Sequence, residues 1–150
     1  MSPVSEIEAV VRLVLATFIG YLIGLERGFS GQPAGDRTHA LVSLGSATFA
    51  LISILAFPGA DPSRIAAPVV TGLGFLGAGM IIRRETGGIQ GLTTAAGIWT
   101  VGGIGLAIGA GLYWLGFFSS ILVGLVLISE KFLKIDQKIN RWREKKGQQD

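Results

Sequence analysis

An all-α membrane protein is the fold class this sequence predicts: five transmembrane helices with Gly-rich close packing, plus a C-terminal amphipathic basic helix on the cytoplasmic side. Three observations predict it. Of the 150 residues, 49% are hydrophobic and only 15% charged, against about 25% charged in soluble domains. The charges are segregated, and residues 39–60, 65–82 and 86–129 contain no Asp, Glu, Lys or Arg. Glycines crowd an apolar run, where Gly72, Gly74, Gly77 and Gly79 would each cost a water-soluble helix about 1 kcal/mol against alanine. In a bilayer the backbone must be bonded within its own segment, and small residues let neighbouring helices approach closely. The segment 62–82 is therefore expected at the centre of the bundle.

The first span is predicted over 6–25. Ser5-Glu6-Ile7-Glu8 matches a capping box, and about 20 residues give roughly 30 Å of helix, enough to cross a hydrocarbon core. Glu8 and Arg12 are four apart in the favourable order, which predicts a surface ion pair with Arg12 reaching outward along its stem. Gly20 and Gly24 form a small-xxx-small pair. Turn residues Gly28, Ser30, Gly31, Pro33 and Gly35 mark 26–38 as a loop.

The second span, 39–57, is expected to be capped by Asp36 or Thr38 and to stop at Pro58-Gly59. Asp61 at the N-cap and Pro62 at the first helical position suit the start of a third span over 62–82. Pro68 removes the hydrogen bond to the carbonyl of Arg64, so a kink there serves packing or bares that carbonyl. The fourth span, 92–110, again spaces two glycines by four, Gly105 and Gly109. A tight turn leads into the fifth, 112–129. The chain thus divides into a transmembrane domain, 1–129, and a basic tail, 130–150. In the tail Phe132, Ile135, Ile139 and Trp142 fall on one stripe and Lys131, Lys134, Lys138, Arg141 and Lys145 on another. That pattern fits a helix along the inner interface, or an extension of the fifth span into the cytosol.

Five spans put the termini on opposite sides, and the positive-inside rule chooses between them. With the N-terminus outside, Arg27, Arg37, Arg83, Arg84 and the seven Lys and Arg of the tail are inside, leaving only Arg12 and Arg64 outside. The net charge of +3 belongs largely to the tail, so anionic headgroups rather than nucleic acid are the expected partner. The absence of cysteine excludes disulfides and thiolate metal sites. No cleavable signal peptide is expected, because a basic n-region and a small-residue cleavage site are both missing.

Little in the chain suggests catalysis. Gly72-Leu-Gly-Phe-Leu-Gly77 spells GxGxxG, but a dinucleotide site needs a strand-to-helix turn and an acid about 20 residues on. His39 is the only histidine and is expected to close a loop rather than bind metal. No cofactor is expected. The hydroxyls within the spans, Thr71, Thr93 and Thr94 among them, are expected to bond to a preceding turn or a neighbouring helix; the alternative is a lined pathway. Glu26, Arg27, Asp36 and Arg37 in the first inner loop could meet Arg83, Arg84 and Glu85 in the second. Such a meeting makes either a salt-bridge cluster locking the cytosolic face or a docking patch.

GLER at 24–27, PAGDRTHALVSLG at 33–45, DPSRIAAPVVTGLGFLGAGMII at 61–82 and GLTTAAGIW at 91–99 closely resemble the MgtC/SapB family of bacterial inner-membrane proteins. The resemblance covers about residues 20–115 and implies a five-span membrane domain. It also implies a role in adaptation to magnesium limitation and in virulence, with F-type ATP synthase as a membrane-protein partner. The family signature falls on Glu26, Arg27, Ala34, Gly35, Arg37, Thr38, His39, Asp61, Arg64, Gly72, Gly74, Gly77, Gly79, Thr93, Thr94 and Trp99. Asp36 departs from a position usually apolar in the family, and Gly28-Phe29-Ser30-Gly31 stands where charged residues are common. Longer members carry a soluble C-terminal domain, expected here to be absent or supplied by another chain. The expected protein is a non-enzymatic regulator in the bacterial inner membrane, a homo-oligomer and most simply a dimer. A small-solute or magnesium transporter is the alternative.

Overall fold

The structure, a computed structural model, describes residues 4–57, 59–83 and 88–146, the side chains of 130–146 excepted. Five helices follow one another: α1 (Glu6–Phe29), α2 (Asp36–Leu55), α3 (Ser63–Ala78), α4 (Leu92–Gly109) and α5 (Tyr113–Lys146). Between α3 and α4 two short strands, β1 (Ile82–Arg83) and β2 (Ile89–Gln90), pair antiparallel with Ile82 opposite Gln90. Helices α1, α2 and α4 are long and apolar enough to cross a membrane, whereas Ser63–Ala78 and the Tyr113–Ser129 part of α5 are shorter apolar helices.

Helix α4, not α3, is the centre of the bundle. It touches each of the other four helices, and Val101, Ile104 and Ile108 on it are buried with Ala16, Ile23, Ala47 and Leu127 in the main core. Helix α3 lies chiefly against α2 and α4. Its buried residues are Leu73 and Gly77, and a side chain at Gly72 or Gly74 would meet nothing within 4 Å. The central place expected for 62–82 is therefore overturned. The glycines that close the bundle belong to the other two pairs. A Cβ at Gly20 would collide with the His39 carbonyl and Ser43, and one at Gly24 with the backbone of Asp36. From α4, a Cβ at Gly105 would strike the backbone of Ser43, and one at Gly109 that of Ala47. Helix α2 is thus held between a glycine pair on α1 and another on α4, at backbone-to-backbone distance.

The element ends are set by local chemistry. Ser5 caps α1, its Oγ accepting from the Glu8 amide at 3.2 Å. Helix α1 runs past the expected Leu25 to Phe29 and closes in a Schellman motif, with Gly31 left-handed (φ 68) and the Gln32 amide donating to the Arg27 carbonyl. Helix α2 begins at Asp36 with Gly35 as its N-cap and no side-chain cap bond, so neither Asp36 nor Thr38 is the cap. Asp36 instead sits in the first turn, where an acid complements the helix dipole. The N-cap of α3 is Pro62, one residue later than expected; Asp61 before it still braces the start, its carboxylate accepting from the Ser63 amide at 2.9 Å and the Ser63 hydroxyl at 2.8 Å. Helix α3 ends at Ala78 rather than 82, because Met80 and Ile81 turn off through bonds to Gly77 and Ala78. Left-handed Gly91 (φ 92), which brings its Cα against the Met80 carbonyl where a side chain has no room, starts α4. At the far end α4 closes in a second Schellman motif around Gly111 (φ 83). Helix α5 continues without a break through 129 to Lys146, so the tail backbone is an extension of the fifth helix.

Candidate functional site

The Schellman motif that ends α1 shapes one end of the bundle. It turns the chain so that Gln32 points back to the start of α4, where its Oε1 accepts from the Thr94 hydroxyl at 3.2 Å. The last turn of α1 contributes Arg27, whose guanidinium is 1% exposed, with its Nη1 3.7 Å from Glu26 Oε2. Glu26 is held in turn by Ser30, whose Oγ donates to Oε1 at 2.7 Å. The first turn of α2 contributes His39, fully buried. Its Nδ1 lies 2.9 Å from the Gly35 carbonyl. A carbonyl only accepts, so Nδ1 carries the proton in that bond and Nε2 is the free ring atom. Nε2 faces Gly97 of α4, where a Cβ would stand 3.5 Å away.

Three helix ends therefore converge: Glu26 and Arg27 from α1, His39 from α2, Thr94 and Gly97 from α4. Arg27 and Glu26 both act electrostatically on His39. One turn further into the bundle Ser43 is also buried, and His39 Nε2 and Ser43 Oγ lack a hydrogen-bond partner among the described residues. In such surroundings a charge is retained only with its counter-charge close by, which the Arg27–Glu26 pair supplies. The arrangement can do two things chemically. It ties the start of α4 to the turn after α1 through the Thr94–Gln32 bond, with the Arg27–Glu26 pair and His39 at the same end, and it offers one titratable ring atom there.

Not every residue expected at the site is there. Helix α2 carries Asp36 and Thr38 at the edge and Arg37 exposed, while Arg83 is exposed on β1. Arg84 and Glu85 lie outside the described residues, and with them the expected meeting of the two loops. His39 closes no loop; it is a core residue of the first helical turn. Thr71, Thr93 and Thr94 form no common lining: Thr71 is exposed and donates to the Ala67 carbonyl at 3.3 Å, Thr93 is exposed, and only Thr94 is buried. Thr48 and Thr100 likewise donate to the preceding turn. Trp99 is half exposed on the outside of α4. Gly77 abuts Ala95, and Gly79 lies in the turn after α3. Asp61 and Arg64 lie at the opposite end of the bundle, at the start of α3.

That opposite end holds what the sequence did not announce. Arg12 is 7% exposed, not splayed outward. Its Nη1 donates to the Gly109 carbonyl at 2.9 Å, its Nε to the Tyr113 hydroxyl at 3.1 Å and its Nη2 to Glu8. Gln32, Ser43 and Gly97 were equally unforeseen at the cluster around Arg27 and His39. Only the spacing of Gly20 and Gly24 hinted that α2 would be pressed close enough to bury His39 and Ser43.

Comparison with known proteins adds an independent finding. The family description that matches is the MgtC family, over residues 13–135. The chain is 48% identical over 128 residues to the putative magnesium transporter YhiD of Escherichia coli K12, covering 80% of this chain and 59% of that protein. It is 40% identical over 134 residues to protein SapB of Bacillus subtilis (84% and 56%). To protein MgtC of Salmonella typhimurium it is 41% identical over 130 residues (85% and 55%). The chain thus spans less than two thirds of the length of these relatives. No solved structure matches.

Proposed function

The chain belongs to the MgtC family, and from that premise we propose that it is a non-enzymatic regulator in the bacterial cytoplasmic membrane, serving adaptation to magnesium limitation and virulence. In this reading all five helices cross the bilayer, the N-terminus is outside, and the exposed charges at the inner end engage a membrane partner such as F-type ATP synthase. The observation that carries it is the buried Arg27–Glu26 pair beside His39 and Thr94. The meeting of three helix ends makes a platform, and the exposed Arg37 and Arg83 lie at the same end. Self-association belongs to the proposal too: Gly74 on α3 and Gly103 on α4 turn bare backbone outward, a surface by which membrane helices of separate chains approach.

Co-purification tests it. Arg37→Ala removes an exposed charge and leaves the Arg27 cluster intact, so it is expected to release ATP synthase subunits from the purified complex without altering the fold. Retention by the folded variant overturns the docking role. The name of the Escherichia coli relative favours a second reading, magnesium transport. Uptake of magnesium into vesicles containing only this protein, abolished by Thr94→Val, would replace regulation with transport.

A further inference from the structure

A groove of about 710 Å³ lies between α2 and α3, within the roughly 300–1,000 Å³ range of small-molecule sites. Its walls are apolar, with Val42 and Phe49 on α2 and Pro68, Gly72 and Leu76 on α3, and Arg64 lines the end at which α3 begins. Arg64 is exposed, and the ion pairs of the described residues, Arg12–Glu8 and Arg27–Glu26, leave it without a carboxylate. From Arg64 to Leu76 the helix rises about 18 Å at 1.5 Å per residue, slightly more than half of a hydrocarbon core of about 30 Å. The groove is therefore one leaflet deep, with its cation at headgroup level.

We propose that the α2–α3 groove binds one acyl chain of an anionic glycerophospholipid whose phosphate is held by Arg64. A guanidinium presents a planar fork that matches two phosphate oxygens, and the apolar length below it matches the chain that hangs from them. Charge rather than shape chooses the occupant. Gly45, Ser46 and Gly72 in the lining leave room for a second helix, but the exposed guanidinium at the end of the groove finds its complement in a phosphate.

Native mass spectrometry of the full chain in detergent, titrated with phosphatidylglycerol or phosphatidylcholine, tests the assignment. The wild type is expected to retain phosphatidylglycerol preferentially. Arg64→Gln should weaken that retention about fivefold, the equivalent of about 1 kcal/mol for one cation near an anionic lipid. Gly72→Phe keeps Arg64 but fills the groove from a position where a Cβ meets nothing within 4 Å, so it should abolish the adduct while circular dichroism and melting stay unchanged. Equal retention of both lipids by the wild type overturns the headgroup assignment. Undiminished adducts in both variants overturn the site. Loss of dimer from Gly72→Phe with phosphatidylglycerol still bound would assign the groove to a second copy.

Discussion

The guanidinium of Arg12 lies 5.6 Å from the centre of the Tyr113 ring while its Nε donates to the same residue's hydroxyl at 3.1 Å. Arg12 thereby joins α1 to α5, and through Nη1 it also caps α4, because the Gly109 carbonyl it binds is among the last of that helix and has no partner within it. A cation at this negative end is favourable twice, as a donor and against the helix dipole.

Removing that cap is expected to be costly and graded. Tyr113→Phe should lower stability by about 1 kcal/mol, the net worth of one hydrogen bond. Arg12→Met should cost about 3 kcal/mol, since the carbonyl is then left bare in apolar surroundings. Arg12→Lys should recover little, because an ammonium cannot reach the carbonyl, the phenol and Glu8 in the same fork. Reversible unfolding in mixed detergent micelles measures all three.

The two classes of glycine should respond in opposite directions. Gly105→Val drives a side chain into the Ser43 backbone and should destabilise by roughly 3 kcal/mol. Gly72→Ala meets open space and should be neutral or stabilise by up to about 1 kcal/mol, the helix-propensity difference. A melting comparison of the two variants checks this; equal losses would contradict the close approach of α2 and α4.

At the cluster around Arg27 and His39, Thr94→Val should cost about 1 kcal/mol through the lost bond to Gln32. Arg27→Ala should cost about 3 kcal/mol, because it removes a buried charge partner of Glu26. Equilibrium unfolding again reads the difference, and His39 exchange by hydrogen–deuterium methods reports whether the three helix ends part first.

The Asp61 carboxyl is held below its ordinary value of 3.8 by the hydroxyl of Ser63 first and its amide second. A lowered carboxylate stabilises the fold fully above its ordinary value, and that contribution is lost as pH falls through the lowered one. Amide protection at the start of α3, corrected for the intrinsic pH dependence of exchange, should therefore fall in acid below pH 3.8 in the wild type. In Ser63→Ala the loss should be smaller and complete at a higher pH, and in Asp61→Asn the acid step should vanish.

Much of this architecture was legible. The gap between charged and uncharged stretches gave the helices, Ser5 and Asp61 their starts, and the motif at 61–82 the family. What was illegible depends on contacts distant in sequence. Composition ranked the glycines of α3 highest because they are the densest, yet density says nothing about which face meets a neighbour. Gly20, Gly24, Gly105 and Gly109 matter because all four face α2. Arg12 looked like a surface pair with Glu8 because Tyr113 and Gly109 lie about a hundred residues further on. The β1–β2 pairing was missed because Ile82 read as the end of the third span and Ile89 fell in the connection before the fourth, while the left-handed geometry of Gly91 that permits the turn has no signature beyond the residue type itself.

The position of α2 has a consequence for biogenesis. The ribosome delivers α1 and α2 well before α4, so the nascent hairpin must wait with one flank of α2 uncovered, and that flank carries the free nitrogen of His39. A polar atom stranded in apolar surroundings is costly, so the arrival of the fourth helix is what completes the burial of that ring.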